Sequence, residues 1–169
     1  MVRFGVSETL PFFEHRLMSD WGRYLQEQLG RKVEVLHRSS HNDIFQLLSK
    51  GELEFAWICP AIYQRHQADL SLVAMPLFKN DPNYQMLLLG PADESAGIDS
   101  IEALQGKVVA FTEPDTNFGN NLVERALQGR GIDPDSFFRR RFYTGDHDKV
   151  LLAVANGLAH GGAVTNQTW

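Results

Sequence analysis

One cysteine, Cys59, stands among 169 residues, so no intramolecular disulfide can form. That suits the cytoplasm, and equally a periplasmic protein that needs no covalent staple. No stretch reaches the roughly 18 consecutive apolar residues of a membrane-spanning helix. The chain enters a strand-like run at Val2 without a basic, then apolar, leader pattern. The expectation is therefore either a cytoplasmic protein or a chain whose leader has been replaced by Met1. Basic residues are in deficit: the formal net charge is −5. This excludes non-specific nucleic-acid binding, which needs a basic face. It does not exclude an anionic ligand, because backbone N–H groups at helix starts bind anions without net positive charge. Low-complexity segments and internal sequence repeats are absent. At the far end Trp169 follows an apolar run with no polar tail, as if the chain were cut inside a fold.

What is present is an alternation of short β-like runs with helical patterns. Residues 2–6 read as a strand. Residues 11–29 carry Phe13, Leu17, Trp21, Leu25 and Leu29 at spacings of four, which predicts a helix with one apolar face, and Gly30 stands where a C′ residue belongs. A strand at 32–36, a helix at 41–50, a strand at 54–58 and a short helix opening on Pro60 follow. Two apolar runs, 71–77 and 84–89, flank the turn Lys79-Asn80-Asp81-Pro82. Gly90-Pro91 breaks the chain. A capping-box pattern at Asp99-Ser100-Ile101-Glu102, strands at 107–111, 139–143 and 161–164, and helices at about 119–128 and 147–155 complete the reading. The order predicts an α/β fold with parallel strands and crossover helices, in two units spanning 1–89 and 90–169. The run Arg139-Arg140-Arg141 reads as a solvated edge rather than a phosphate clamp, since strand spacing splits it between two faces.

In open α/β sheets the ligand lies beyond the carboxyl ends of the strands. That rule selects the loops Ser7-Glu8-Thr9, Ser39-Ser40-His41, Cys59-Pro60, 112–119, 144–147 and 165–167, which are rich in small polar groups. The most informative is Glu113-Pro114-Asp115-Thr116-Asn117-Phe118-Gly119-Asn120, between a strand and a helix. It reads either as an anion loop, with the N–H groups near 117–120 and the Thr116 hydroxyl, or as ordinary N-capping by Thr116 or Asn117. His147 at a helix start reads as an anion donor or as a plain surface residue. Tyr84 reads as a half-buried strand aromatic, and His41 as a solvent-exposed helix start. An enzyme would need Cys59 as a nucleophile beside a His, but its place after a strand of buried type reads as an inert buried thiol. His37 and His41 straddle a strand end and a helix start, so helical metal-ligand spacing does not apply. Neither a metal nor a cofactor is expected.

The segments Phe4-Gly5-Val6, Glu54-Phe55-Ala56-Trp57, Glu113 to Gly119, Thr144-Gly145-Asp146-His147-Asp148 and Ala153-Val154-Ala155-Asn156-Gly157 resemble the phosphate/phosphonate-binding subgroup of type II periplasmic solute-binding proteins. The resemblance runs from residue 2 to 169. It implies a two-lobed type II fold, truncated at its C-terminus, with the ligand in the cleft and residues 1–89 and 90–169 as the lobes. It implies a periplasmic solute receptor for an ABC importer, closing on phosphate, phosphite or a phosphonate-like oxyanion and delivering it to a permease. A sensor domain of the same fold attached to a signalling protein is the alternative. The family's Ser-Thr-Ser-Gly anion loop falls on Thr116, Asn117, Phe118 and Gly119, and its second-lobe His on His147. Its two first-lobe aromatic positions fall on His41 and Tyr84, and an acidic group that meets a ligand amine falls near Gln167. Only Thr116 keeps a loop hydroxyl; Phe118 replaces a serine, His41 an aromatic residue and Gln167 an acid. Each lost donor to a charged oxygen is worth about 1.5–3 kcal/mol, while a backbone N–H cradle survives such changes. A truncated return crossing leaves a sheet edge that dimerisation or strand exchange would cover.

Overall fold

In a computed structural model of the chain, residues 1–7, 15–77, 85–92, 97–166 and 168 are described, without the side chains of residues 117 and 118. Contacts divide the chain into two units, Met1–Ser71 and Leu72–Trp169.

The first unit opens with β1 (Val2–Ser7), α1 (His15–Leu29), β2 (Val33–Arg38), α2 (His41–Ser49), β3 (Phe55–Trp57) and α3 (Pro60–Arg65). Its sheet has the order β2-β1-β3. β1 pairs in parallel with both neighbours, from Val2↔Val33 to Ser7↔Arg38 on one side and from Phe4↔Phe55 to Val6↔Trp57 on the other. Side chains alternate across the sheet. Val6 and Phe4 pack with Met18 of α1, while Gly5, of opposite parity, faces α2. A Cβ on Gly5 would stand 2.5 Å from Leu53 Cδ1 and 3.1 Å from Ile44 Cγ2. The apolar stripe expected of α1 is only half realised. Met18 is the buried residue of the helix, whereas Leu17 and Leu29 are 45% and 49% exposed. With 3.6 residues per turn, a strict spacing of four drifts by about 40° per step and carries a stripe around the helix.

The second unit contains β4 (Met86–Leu89), β5 (Val108–Phe111), α4 (Leu122–Gln128), α5 (Pro134–Phe137), β6 (Arg140–Tyr143), α6 (His147–Ala155) and β7 (Gly161–Thr165). The order of its sheet is β4-β7-β5-β6. β5 is parallel to β6 and β7, and β4 is antiparallel to β7. β4, grouped with residues 1–89 by the sequence reading, thus pairs inside this sheet, through Leu87↔Val164 and Leu88↔Ala163. Residues 71–77 form no regular element, and Leu72, Val73, Met75 and Leu77 are exposed. The capping-box segment becomes a single 3-10 turn, Glu102–Leu104, with the Ala103 amide donating to Ser100 Oγ at 3.3 Å.

Alternation along β5 sets the two layers. Val109 and Phe111 pack with Val123 and Leu127 of α4 and with Ala163. Ala110 and Val164 pack with Val150, Ala153 and Val154 of α6. α4 and α6 therefore cover opposite faces. Each fully buried Val or Leu here contributes about 1.5–3 kcal/mol. α5, unforeseen in the sequence, starts on Asp133, whose carboxylate accepts from the Asp135 amide at 3.1 Å, with Pro134 at the first helical position.

Candidate functional site

The connection after β5 leads into α4 on one face, and the connection after the neighbouring β6 leads into α6 on the other. Where loops part in this way, parallel α/β sheets usually place their ligand, at the carboxyl ends of the strands. Backbone bonds tie the two loops together: the Thr144 amide donates to Phe111 O at 2.8 Å, and the Gly145 amide donates to Thr112 O at 2.9 Å. Gly145 has φ +73°, a conformation costly for any residue with a Cβ. It turns the chain from β6 into Asp146, whose carboxylate caps α6 by accepting from the Asp148 amide at 2.7 Å.

Polar side chains are buried at this edge, against the usual preference for water. Thr112 is 2% exposed, Glu113 8%, Thr116 6%, Asn120 3%, His147 6% and Thr165 0%. Burial holds the imidazole of His147 down to about pKa 4, partly opposed by the negative charge of Asp146. His147 is thus neutral near pH 7, and its buried Nδ1 has no hydrogen-bond partner among the described residues. The surface position open to His147 from the sequence is corrected by packing: α6 starts against β5 and β7 rather than in solvent. The same correction applies to His41, expected to be exposed. It is 6% exposed at the first position of α2, behind the cap that Ser40 Oγ makes by accepting from the Asp43 amide.

The loop after β5 neither caps a helix in the ordinary way nor enters one directly. Residues Asn117–Asn121 form a π-type turn that continues into α4. Among the described residues the Thr116 hydroxyl caps no amide. Instead the amides of Gly119, Asn120 and Asn121 all donate to Thr116 O, at 3.2–3.3 Å. Two amides expected to face a ligand, those of Gly119 and Asn120, are therefore engaged within the turn. Gly119 lies flat on the preceding loop. A Cβ there would fall 2.8 Å from Thr112 Oγ1 and closer still to Glu113 O and Thr116 Oγ1.

Of the residues singled out in the sequence, Thr116, Gly119 and His147 come together on these two tied loops of the second unit, with the backbone of Asn117 and Phe118 between. His41 belongs to the first unit, as does Ser7, which is 0% exposed on the end of β1. Tyr84 and Gln167 lie outside the described residues. Thr112, Glu113, Asn120 and Thr165 were not singled out as side chains, although their loops were; for Thr112, Glu113 and Thr165 the signal is a polar residue at the end of a buried strand or just after it, whereas Asn120, in the turn before α4, carries none. Cys59 is 5% exposed, before Pro60. Among the described residues no group of three His, Cys, Asp or Glu is placed to hold a metal ion.

The family model described as the phosphonate, periplasmic substrate-binding protein of ABC transporters matches residues 13–169. The chain belongs to that family. The phosphate-import protein PhnD of Mycolicibacterium smegmatis is 28% identical over 147 residues, covering 80% of this chain and 45% of its own length. A binding protein component of an ABC phosphonate transporter from Pseudomonas aeruginosa superposes with a TM-score of 0.79 at 19% identity, covering 99% of this chain and 57% of that one. PhnD1 from Prochlorococcus marinus, solved with methylphosphonate, gives 0.78 at 17% identity, covering 99% and 64%. The phosphonate-binding family thus carries the type II fold expected from the sequence, and the chain spans about half to two thirds of the length of these relatives. The family is one of transport binding proteins rather than enzymes.

Proposed function

We propose that the protein binds a small phosphorus oxyanion, namely phosphate, phosphite or an alkylphosphonate, in the periplasm, hands it to an ABC permease, and catalyses no reaction. The observation that carries this reading is the cluster of buried polar groups at the carboxyl ends of β5 and β6, in a chain of the phosphonate-binding family. Thr116 Oγ1 and a neutral His147 supply donors there, and backbone amides ahead of Gly119 complete the cradle. Residues 117 and 118 contribute through the main chain, and Tyr84, His41 and Gln167 remain the other proposed contacts. Closure over the guest belongs to the same proposal. A neutral imidazole N–H suits the task, because it grips an anion without the cost of burying a second charge beforehand.

Isothermal titration with phosphate, phosphite and methylphosphonate tests the reading. Thr116→Val and His147→Gln are each expected to weaken binding by about tenfold or more, the loss of one hydrogen bond to a charged group, with the thermal midpoint of Thr116→Val unchanged. No heat with any of the three anions would remove the receptor assignment.

A further inference from the structure

Asn120 is one turn of helix ahead of Glu124, and its Nδ2 donates to Glu124 Oε1 at 2.6 Å. The same oxygen accepts from Arg141 Nη1 at 2.6 Å, and Arg141 is held from its other side by Asp135. Arg141 lies on β6, in register with Val109 of β5; Tyr143 and Phe111 follow two residues further toward the carboxyl ends. Through Glu124 the Asn120 side chain is linked to Arg141 of β6, and its backbone amide bonds Thr116 O in the turn that follows β5.

This relay fixes which way the amide faces. Its NH2 must meet the Glu124 carboxylate, since a carboxylate oxygen offers no proton. Oδ1 is then turned away, fully buried, and meets no donor among the described residues, in a residue 3% exposed. An orphaned buried acceptor is uncommon and calls for a partner. Asn120 shares its turn with Thr116 and Gly119, groups that on the proposed function donate to an anion, so an acceptor among them is matched by a guest that brings a proton of its own. Near neutral pH phosphate keeps at least one proton on oxygen and methylphosphonate is in good part monoprotonated, whereas a sulfonate holds none.

We propose that Asn120 Oδ1 accepts a hydrogen bond from the protonated oxygen of a monoprotonated phosphorus oxyanion, and so selects this class against sulfonates. The inference rests on the reading of the protein as an oxyanion receptor and adds a specificity residue to it.

The experiment is titration of wild type and Asn120→Leu with methylphosphonate, 2-aminoethylphosphonate and ethanesulfonate, together with the 31P shift of bound methylphosphonate above its second pKa. Expected are a bound shift of the monoanion, a loss of about 10- to 100-fold for both phosphonates in Asn120→Leu, and sulfonate binding that is weak and unaltered by the substitution. A dianion shift overturns the inference. So does a loss confined to the aminoethyl ligand, which would make Oδ1 the partner of an ammonium, and so does unchanged methylphosphonate affinity in the variant. Should Asn120→Leu fail to fold, the shift in wild type decides. Wild type that binds no oxyanion overturns the receptor reading and this inference together; binding of phosphonate with any of the contrary results overturns the inference alone.

Discussion

Replacing Gly119 with alanine pits two effects of opposite sign against each other. Gly119 lies in the π-type turn that leads into α4 and does not have a positive φ. On backbone grounds alone, alanine would stabilise the protein by about 0.4–1 kcal/mol, by restricting the unfolded chain. The close approach argues the reverse. The added Cβ meets a main-chain oxygen, Glu113 O, and two threonine hydroxyls, all inside van der Waals contact. The carbonyl belongs to a loop tied to β6 through the Thr112–Gly145 bond, so it cannot move without disturbing a second element. Overpacking of this kind costs about 1–3 kcal/mol. The net expectation for Gly119→Ala is destabilisation by about 1–2 kcal/mol; on the proposed function, oxyanion affinity falls as the turn opens. Gly129→Ala is the control. There the nearest atoms to the added Cβ stand at 3.3 and 3.9 Å, and φ is −62°, so the change is expected within about 0.5 kcal/mol of zero. Urea unfolding of the three proteins followed by circular dichroism reads the difference. A Gly119→Ala protein as stable as wild type or more so would refute the packing argument.

Two further perturbations follow from burial. His147 has its pKa held near 4 in the folded protein against an ordinary value of 6.5. The unfolded chain therefore takes up the proton first as pH falls, and stability full above pH 6.5 declines down to pH 4, by about 3 kcal/mol in all. Urea midpoints measured at pH 7, 5.5 and 4 should fall less steeply in His147→Gln; parallel profiles for the two proteins would exclude His147 as the group responsible. Leu104, at 0% exposure in the core under α4, is expected to cost about 2–5 kcal/mol on replacement by alanine, and a midpoint shift corresponding to less than 1 kcal/mol would show that Gly161 and its neighbours collapse into the space.

The fold was legible where local signals agreed with the tertiary result. β2, β5, β6 and β7 fall within two residues of the runs read from the sequence, and α6 within none. Where long-range pairing decides, the sequence was silent. Nothing in the run 84–89 announces that Met86–Leu89 pairs antiparallel with β7, so it was grouped with the wrong neighbours. The π-type turn at Asn117–Asn121 was read as loop up to Phe118 and plain helix from about Gly119, because three amides sharing Thr116 O leave no mark in composition. α5 did carry a signal, the Asp133-Pro134 pair, that was passed over. At the site, the loops were found by the rule for parallel sheets, yet the depth of His41 and His147 was not. A histidine at a helix start is exposed by default, and only packing against the sheet reverses that.

The bonds from Thr144 and Gly145 to Phe111 and Thr112 also bear on how this site could change over evolutionary time or in the laboratory. Two chain segments more than thirty residues apart behave as one mechanical piece. Transplanting either segment alone from a relative would import half of a hinge pin, whereas exchanging 112–121 and 144–148 as a pair would carry a new preference intact. Altered selectivity in this protein should therefore arise from coordinated replacements on both segments, with single changes mostly costing affinity.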